Sequence, residues 1–283
     1  MSLTDEQLQT LEARARDIRQ TIIEMLVAAG SGHTAGPLGM ADIFAAFYFH
    51  ILHHDPQNPE WEERDRLILS NGHICPVLYA AMAHSGYFPV EECLTLRKFG
   101  SRLQGHPERM NLPGIETTSG PLGEGISQAA GMAYAMKNFQ FSISNLQNKK
   151  PHIYCLMGDG EQQEGSVWEA VMFAGKYRLS NLTVVIDRNN IQIDGTTEEV
   201  MPLEPLADKY RAFNWHVIEV DGHNIAAFIA AVDEAKAIAE KPTVIIAHTI
   251  AGKGVPEIEG DYRWHGKPPT KEEGERFIKY LNI

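Results

Sequence analysis

The chain has 283 residues, of which 43% are hydrophobic and 22% are charged, which is enough apolar material for one large folded domain. Its 37 acidic and 25 basic residues give a net charge of −12 at pH 7, so we expect no nucleic acid partner and no membrane partner. The sequence has no apolar run long enough to span a membrane, no signal-peptide pattern at Met1–Gln9 and only three widely spaced cysteines, and it therefore predicts a cytoplasmic protein.

The first half of the chain alternates helical segments with loops. Thr4 and Gln7 match a capping box and predict a helix that ends near Ala29. Four glycines then interrupt the helical pattern: Gly30, Gly32, Gly36 and Gly39. Further helices are predicted at 40–49 and about 76–84, separated by a loop at 53–64 and a short strand at 66–70. The segment 100–125 is rich in Gly and Pro and predicts a long ordered loop, which in a compact domain is usually functional.

The second half of the chain alternates short apolar strands with helices. Strands are predicted at 153–157, 183–186, 215–220 and 243–247, and helices at 165–177, 204–213 and 226–239, followed by an amphipathic segment at 271–281. This alternation is typical of a parallel sheet that is covered by helices on both faces. Because no repeat or linker interrupts the pattern, we predict one three-layer α/β domain over residues 1–283.

Polar and glycine residues follow two of the predicted strands, at the edge where open parallel sheets bind ligands. Gly158, Asp159 and Gly160 follow one strand and open a helix, where backbone N–H groups favour phosphate. Asn189 and Ile191 follow the next strand, and a carboxylate, an amide oxygen and a backbone carbonyl suit Mg²⁺. Taken singly, Asp159 would be a helix cap and Asn189 a turn residue. Their pairing at neighbouring strand ends favours a site for a metal and a diphosphate.

This pairing resembles the metal–diphosphate motif of thiamine-diphosphate enzymes, in which G-D-G is followed, after the next strand, by Asn. It differs from the G-x-G-x-x-G fingerprint of dinucleotide-binding proteins, and the sequence has no G-K-[ST] loop of the Walker type.

Four of the twelve histidines lie beside glycines in predicted loops: His33, His73, His106 and His265. Histidine exchanges protons near neutral pH and binds oxyanions. Any one of them taken alone would more often be a hydrogen-bonded structural residue. A zinc cluster is a second alternative, but the spacings do not match known zinc signatures and no thiolate accompanies them.

The segments around these histidines resemble the signatures of the transketolase family, in the family's order along nearly the whole chain. They are Ser31-Gly32-His33 with 36–39, then 69–73, 105–108, 118–125 and 264–266, together with the metal motif at 158–169 and 187–195. Thr34 departs from the family, which usually has Pro at that position, and Glu161 occupies a variable position.

The resemblance implies specific roles for these residues. Asp159, Asn189 and the carbonyl of Ile191 would hold Mg²⁺, or Ca²⁺ or Mn²⁺ in its place. The resemblance also implies a thiamine diphosphate site formed by Gly158, Gly160, His73, His265, Gly120, Pro121, Leu122 and Glu164. Among these, Gly120, Pro121 and Leu122 would lie beside the thiazolium and pyrimidine rings, and Glu164 would link the two cofactor sites across a dimer. His33 and His106 would face the sugar and, with His73 and His265, form the catalytic set.

The reaction implied is transfer of a two-carbon glycolaldehyde unit from a ketose phosphate to an aldose phosphate. Transketolases are more than twice as long as this chain, and nothing in residues 1–283 resembles their pyrimidine-binding and C-terminal domains. We therefore expect a separate C-terminal subunit, an α₂β₂ assembly and no activity without the partner. A shortened form of a longer protein is the competing explanation.

Three alternative functions stay open at this stage. Deoxyxylulose-phosphate synthase and 2-oxoacid dehydrogenase subunits share the cofactor motif, but His73, His106 and 264–266 favour transketolase. A split transketolase specialised for apulose 4-phosphate or a sulfosugar would share every motif. A non-catalytic cofactor-binding subunit is the third alternative, and it has no need to keep Asp159 together with Asn189.

Overall fold

The structure is a computed structural model that describes residues 3–138 and 151–282. Its α-helices, in chain order, are α1 (Asp5–Ala29), α2 (Ala35–Gly39), α3 (Ala41–Ala46), α4 (Cys75–Ser85), α5 (Glu124–Asn138), α6 (Gly165–Tyr177), α7 (Thr197–Val200), α8 (Leu206–Ala212), α9 (Ile225–Ala237) and α10 (Lys271–Leu281). The strands are β1 (Arg66–Leu69), β2 (Ile153–Gly158), β3 (Leu182–Arg188), β4 (Ile191–Gln192), β5 (Gly195–Thr196), β6 (His216–Asp221) and β7 (Thr243–His248). No helix within the described residues is long and apolar enough to cross a membrane.

Five strands form one parallel sheet in the order β1-β2-β3-β7-β6, while β4 and β5 form a small antiparallel pair. The predicted parallel sheet is confirmed, and each predicted strand is present. β3 is central and buried along its whole length, as expected for a strand covered on both faces.

Two hydrophobic cores, one on each face of the sheet, produce three layers. Along β2, Ile153, Cys155 and Met157 pack in a core with α5, α6 and α8. Tyr154 and Leu156 point the opposite way and join a core formed with α1, α3, α4 and α9. This alternation follows from the two-residue period of a strand and confirms the predicted three-layer α/β fold.

Helix α1 begins and ends where the sequence predicts. The Thr4 hydroxyl accepts a hydrogen bond from Gln7 N, and the Gln7 side chain accepts one from Thr4 N at 3.0 Å, so the capping box is formed. Gly30 ends the helix in the left-handed conformation, with φ of 63°.

Two predictions from glycine positions were wrong. Gly36 and Gly39 lie inside the short helix α2, where glycine is needed for close packing: a Cβ at Gly39 would lie 2.9 Å from the Ile250 carbonyl oxygen. The loop predicted at 100–125 ends at Gly123, and the helix α5 that follows it was not predicted. Gly125 weakens the helical pattern of this segment, because glycine has a low helix propensity. Close packing accounts for glycine at this position, since a Cβ here would lie 2.5 Å from the Ser70 side chain.

Candidate active site

A cavity of about 370 Å³ lies at the carboxyl ends of β2 and β3. The register places Gly158 opposite Asp187, so the segments that follow the two strands are neighbours. Every predicted site residue except Pro121 lines this cavity: His33, His73, His106, Gly120, Leu122, Gly158, Asp159, Gly160, Glu164, Asn189, Ile191 and His265. The structure therefore gathers the residues for which metal, diphosphate and sugar contacts were predicted into one place.

Asp159 is buried at the tip of β2 and its carboxylate is held from three sides. Oδ1 accepts a hydrogen bond from Gly160 N at 2.7 Å, while Oδ2 accepts from Asn190 N at 2.7 Å and from Arg188 Nη1 at 3.1 Å. Burial raises the pKa of Asp159 to about 6, although the Asn190 N–H and the Arg188 guanidinium favour the charged form. A positive ion beside this carboxylate would lower its pKa again and stabilise it.

Asn189 is oriented by two side chains, those of Asp187 and Thr249, for which the sequence predicted no role. Asp187 Oδ2 accepts a hydrogen bond from Asn189 Nδ2 at 2.8 Å, and the other carboxylate oxygen of Asp187 accepts one from the Thr249 hydroxyl. Burial raises the pKa of Asp187 to about 7. The position of Asp187, two residues before Asn189 at a strand end, was the available signal for this role. Thr249 is distant in sequence and gave none.

Glu161, which occupies a variable position of the family motif, joins three loops around the cavity. Its buried carboxylate accepts hydrogen bonds from Gly123 N at 2.7 Å, from Gly158 N at 3.0 Å and from the Ser70 hydroxyl. Burial raises the pKa of Glu161, and these three donors oppose that rise. The carboxylate therefore fixes the loop ends after β1 and β2 relative to the start of α5.

Three imidazole rings that line the cavity lie close to one another. The ring centroids of His33 and His73 are 4.9 Å apart, those of His73 and His265 are 5.1 Å apart, and those of His33 and His265 are 5.4 Å apart. Burial lowers the pKa of each ring, and for His33 the nearby His265 adds to this effect and brings the pKa to about 4. At neutral pH the cluster is therefore uncharged, so each ring has one nitrogen that donates and one that accepts.

His106 lies at the edge of this cluster, on the long loop that precedes α5. Its ring is half-buried, and burial together with the Arg97 charge lowers its pKa as well. His106 therefore offers a neutral imidazole to a ligand in the cavity.

The cavity fits a cofactor that carries a diphosphate and a metal ion. His33 Nδ1 and Asn71 Oδ1 are buried at its wall and have no hydrogen-bond partner among the described residues, so a polar ligand would satisfy them. A Cβ at Gly160 would lie 3.1 Å from the Gln192 side chain. The absence of a side chain at Gly160 therefore lets the backbone of this segment pack closely against Gln192.

The oxygen donors at the cavity suit a hard cation that also binds phosphate and water. They are the Asp159 carboxylate, the Asn189 amide and the Ile191 carbonyl, which together bring only one negative charge. Within residues 3–138 and 151–282, no group of three or more His, Cys, Asp or Glu side chains could hold a metal ion. The proposed ligand set differs from such a group, because it contains one carboxylate, one amide oxygen and one backbone carbonyl.

Residues 11–280 match the family model described as transketolase, thiamine diphosphate binding domain. The 6-deoxy-6-sulfo-D-fructose transketolase subunit SqwG of Clostridium sp. (strain MSTE9) is 45% identical over 267 residues, which cover 94% of each chain. An apulose-4-phosphate transketolase subunit from Phocaeicola vulgatus is 40% identical over 276 residues, which cover 98% of this chain and 95% of that one.

Longer proteins match over part of their length. Rattus norvegicus transketolase is 40% identical over 283 residues, which cover 98% of this chain but 42% of the rat protein. Among solved structures, transketolase from Leishmania mexicana superposes with a TM-score of 0.89 at 35% identity, over 96% of this chain and 41% of that one. The Pichia stipitis transketolase complex with sedoheptulose-7-phosphate superposes with a TM-score of 0.90, also at 35% identity and over the same shares of the two chains.

Proposed function

This chain belongs to the transketolase family as a thiamine diphosphate binding domain, and from that premise we propose that it is the cofactor-binding subunit of a two-subunit transketolase. The observation that carries the proposal is a single cavity lined both by Asp159, Asn189 and Ile191 and by the cluster of His33, His73 and His265. The oxygen donors suit a metal ion, and the histidines suit the oxygen atoms of a diphosphate and of a sugar.

In this proposal Asp159, Asn189 and the Ile191 carbonyl hold Mg²⁺, for which Ca²⁺ or Mn²⁺ could substitute. The Arg188 and Asn190 contacts keep the Asp159 carboxylate in place for the ion. The site that holds the diphosphate and the rings is formed by Gly158, Gly160, His73, His265, Gly120, Pro121 and Leu122. The cofactor, when bound, accepts the electrons released as the carbon–carbon bond of a ketose breaks.

The histidines orient the sugar and move its protons. His33 and His106 are neutral at pH 7 because burial lowers their pKa values, so each can accept a hydroxyl proton at one ring nitrogen and donate from the other. Glu164 is exposed at the cavity mouth, a position that supports contact with a second cofactor site across a subunit interface.

The remaining parts of the enzyme would come from a C-terminal partner subunit. Two relatives that this chain matches along nearly their whole length are named as transketolase subunits, whereas the chain covers 42% of rat transketolase. We propose that the partner carries the pyrimidine-binding and C-terminal domains and that the assembly is an α₂β₂ heterotetramer in the cytoplasm.

The reaction proposed is transfer of a two-carbon ketol unit from a ketose phosphate to an aldose phosphate. A second candidate is an enzyme specialised for a sulfosugar or for apulose 4-phosphate. The names and identities of the subunits from Clostridium sp. and Phocaeicola vulgatus favour this candidate. In either case the cavity residues keep the same roles, and the two reactions differ in the sugar.

Reconstitution with a C-terminal transketolase subunit tests the proposal. We expect no turnover from this chain alone, and turnover by the complex that depends on thiamine diphosphate and Mg²⁺. The donors to compare are xylulose 5-phosphate, 6-deoxy-6-sulfo-D-fructose and apulose 4-phosphate, each with ribose 5-phosphate as acceptor. Full activity without a partner, or a complex that binds no thiamine diphosphate in calorimetry, would contradict the proposal.

Two variants test whether cofactor binding depends on the proposed metal ligand Asp159. Asp159→Asn should abolish cofactor retention, because it removes the only carboxylate among the proposed metal ligands. Asp194→Asn makes the same change at an exposed residue of the nearby β4–β5 turn and should retain normal cofactor binding.

A further inference from the structure

His223 lies on the loop after β6, outside the cofactor cavity, and both nitrogens of its ring have hydrogen-bond partners. Nδ1 lies 2.8 Å from Asp42 Oδ2, and Nε2 accepts a hydrogen bond from Ile250 N at 2.8 Å. The side chain is 13% exposed, so water does not compete freely for these contacts. The imidazole therefore joins helix α3 to the segment that follows β7.

The two partners of this ring determine where its proton lies. A backbone N–H can only donate, so Nε2 of His223 carries no proton. Although burial opposes the charged form of Asp42, the hydrogen bond from His223 and the Arg19 guanidinium hold the pKa of this carboxyl below its usual range. The ionised carboxylate can only accept, so Nδ1 carries the proton. His223 is thus a donor on one side and an acceptor on the other.

Asp42 is itself held by a buried arginine of helix α1. Arg19 Nη1 donates to Asp42 Oδ1 at 3.1 Å and Arg19 Nη2 donates to Asp42 Oδ2 at 2.6 Å, while Arg19 Nε donates to the Leu38 carbonyl at 3.1 Å. The side chains of Arg19 and Asp42 are 8% and 10% exposed. A bidentate pair fixes the plane of the carboxylate, so it gives the His223 ring a rigid support.

The segment that His223 contacts includes Thr249, whose hydroxyl donates to Asp187. The amide bound by Nε2 belongs to Ile250, the next residue in the chain. The methyl group of Thr249 faces Gly222, where a Cβ would lie 2.6 Å from that methyl carbon. The loop after β6 therefore packs against the methyl side of Thr249 and binds the backbone amide that follows it.

We propose that His223 is a positioning residue for the proposed metal ligand Asn189 and that it acts through Thr249. By binding the Ile250 amide, His223 keeps the Thr249 hydroxyl in place. This hydroxyl holds Asp187, which orients the Asn189 amide. His223 does not line the cavity, so its effect on an ion passes through these contacts. The inference rests on the proposed function, in which Asn189 holds the ion.

Two substitutions of His223 each keep one half of the bridge. The NH₂ group of an asparagine lies near the position of Nδ1, so His223→Asn keeps the donor to Asp42 and loses the acceptor for Ile250. A glutamine side chain reaches the position of Nε2, so His223→Gln keeps the acceptor for Ile250 and loses the donor to Asp42. Comparison of the two variants therefore separates the role of the Ile250 amide from that of the buried carboxylate.

Electron paramagnetic resonance titration of the reconstituted complex, with thiamine diphosphate present, measures the effect on Mn²⁺ affinity. We expect a fall of about 3-fold to 10-fold in His223→Asn and a change of less than about 2-fold in His223→Gln. An equal or larger loss in His223→Gln would overturn the inference, because it would trace the effect to Asp42. Unchanged affinity in both variants would overturn it as well.

A double-mutant cycle with Thr249→Val tests the route of the effect. If His223 acts through the Thr249 hydroxyl, His223→Asn should cause no further loss of Mn²⁺ affinity in the Thr249→Val background. Full additivity of the two losses would overturn the route. His216→Asn is the matched control, because this imidazole lies 2.8 Å from the Glu234 carboxylate at the other end of β6. It should leave Mn²⁺ affinity unchanged, and a loss equal to that in His223→Asn would overturn the specific role of His223.

Hydrogen exchange needs no metal ion, and so it separates this inference from the proposed function. In the complex without Mn²⁺, amide exchange of a peptide that contains Ile250 should be several-fold faster in His223→Asn than in the wild type or in His223→Gln. Unchanged exchange would overturn the positioning role even if the complex is an active transketolase. Faster exchange in a complex that binds neither Mn²⁺ nor thiamine diphosphate would contradict the proposed function and leave the positioning of Thr249 by His223 supported.

Discussion

The side chain of Asn189 can direct either its oxygen or its NH₂ group at a cation, and only the oxygen binds one. Asp187 determines the orientation of this amide, because its carboxylate accepts a hydrogen bond from Asn189 Nδ2 and the amide oxygen therefore points away from Asp187. The Thr249 hydroxyl holds Asp187 in turn, so a residue after β7 orients a proposed metal ligand that follows β3. Partners of this kind govern metal affinity nearly as much as the ligands do.

Thr249→Val tests this chain of hydrogen bonds at the proposed metal site. The substitution keeps the shape of the side chain but removes the donor to Asp187, and we expect Mn²⁺ affinity of the reconstituted complex to fall by about 10-fold to 100-fold. Electron paramagnetic resonance titration of Mn²⁺ with thiamine diphosphate present measures this affinity.

Thr183→Val is the matched control for this substitution. It replaces another buried threonine at the opposite end of β3, where the hydroxyl lies 2.8 Å from His152 Nε2, and it should leave Mn²⁺ affinity unchanged. Equal losses in the two variants would mean that Thr249 contributes to the fold rather than to the metal site.

Among the structural elements, the long loop before α5 is held by contacts with other segments. Residues 100–123 carry Gly120 and Leu122 to the cavity and form only turns and bends. One buried ion cluster fixes this loop to the strand β1 and the residues before it. Arg64 Nη2 lies 2.9 Å from Glu116 Oε1, and Arg66 Nε lies 3.5 Å from Glu116 Oε2.

Glu116→Ala tests whether this cluster holds the loop. It leaves two guanidinium groups without their carboxylate, and breaking a buried pair costs about 3–5 kcal/mol of unfolding free energy. Urea unfolding measures the loss, and weaker binding of thiamine diphosphate should accompany it because the loop carries Gly120 and Leu122.

Glu92→Ala is the control for the loop prediction. It removes the carboxylate from Arg102, which lies on the same loop and forms a partly exposed pair with Glu92, and pairs of this kind contribute at most about 1 kcal/mol. Similar destabilisation by the two substitutions would mean that burial does not distinguish these ion pairs.

The free energy of unfolding should depend on pH through a histidine that is buried in its neutral form. His152 lies just before β2 with Nε2 2.8 Å from the Thr183 hydroxyl, and burial lowers its pKa from 6.5 to about 4. Between these two values the unfolded chain binds a proton that the folded chain does not bind. The free energy of unfolding therefore falls as pH drops from about 6.5 to 4 and receives no further loss from this group below pH 4.

His152→Asn isolates this contribution from that of the carboxylates with raised pKa values, which act in the opposite direction over part of this range. We expect the wild-type chain to lose about 3 kcal/mol more than the variant between pH 7.5 and pH 4, as measured by urea unfolding at each pH. Parallel pH profiles for the two proteins would show that His152 takes up its proton equally in the folded and unfolded states.

The sequence by itself determined the fold class and predicted most residues that line the candidate site. Strands such as β2 and β3 correspond to short apolar runs in the sequence. Their alternation with helical segments indicates a parallel sheet, in which the carboxyl ends of the strands lie at the same edge. Asp159 and Asn189 follow two such strands, so their proximity could be predicted. The local signals failed at Gly36 and Gly39, because a glycine needed for close packing has the same appearance in sequence as one that ends a helix.

The tertiary structure alone decided which distant segments meet. Glu161 joins the loops of Ser70 and Gly123, Thr249 supports Asp187, and His223 contacts the segment that contains Thr249. None of these contacts repeats with a helical or strand period, so no pattern along the chain encodes them. They arise only when packing of the two cores fixes the distances between segments, because a hydrogen bond or ion pair depends on atomic positions that local preferences do not set.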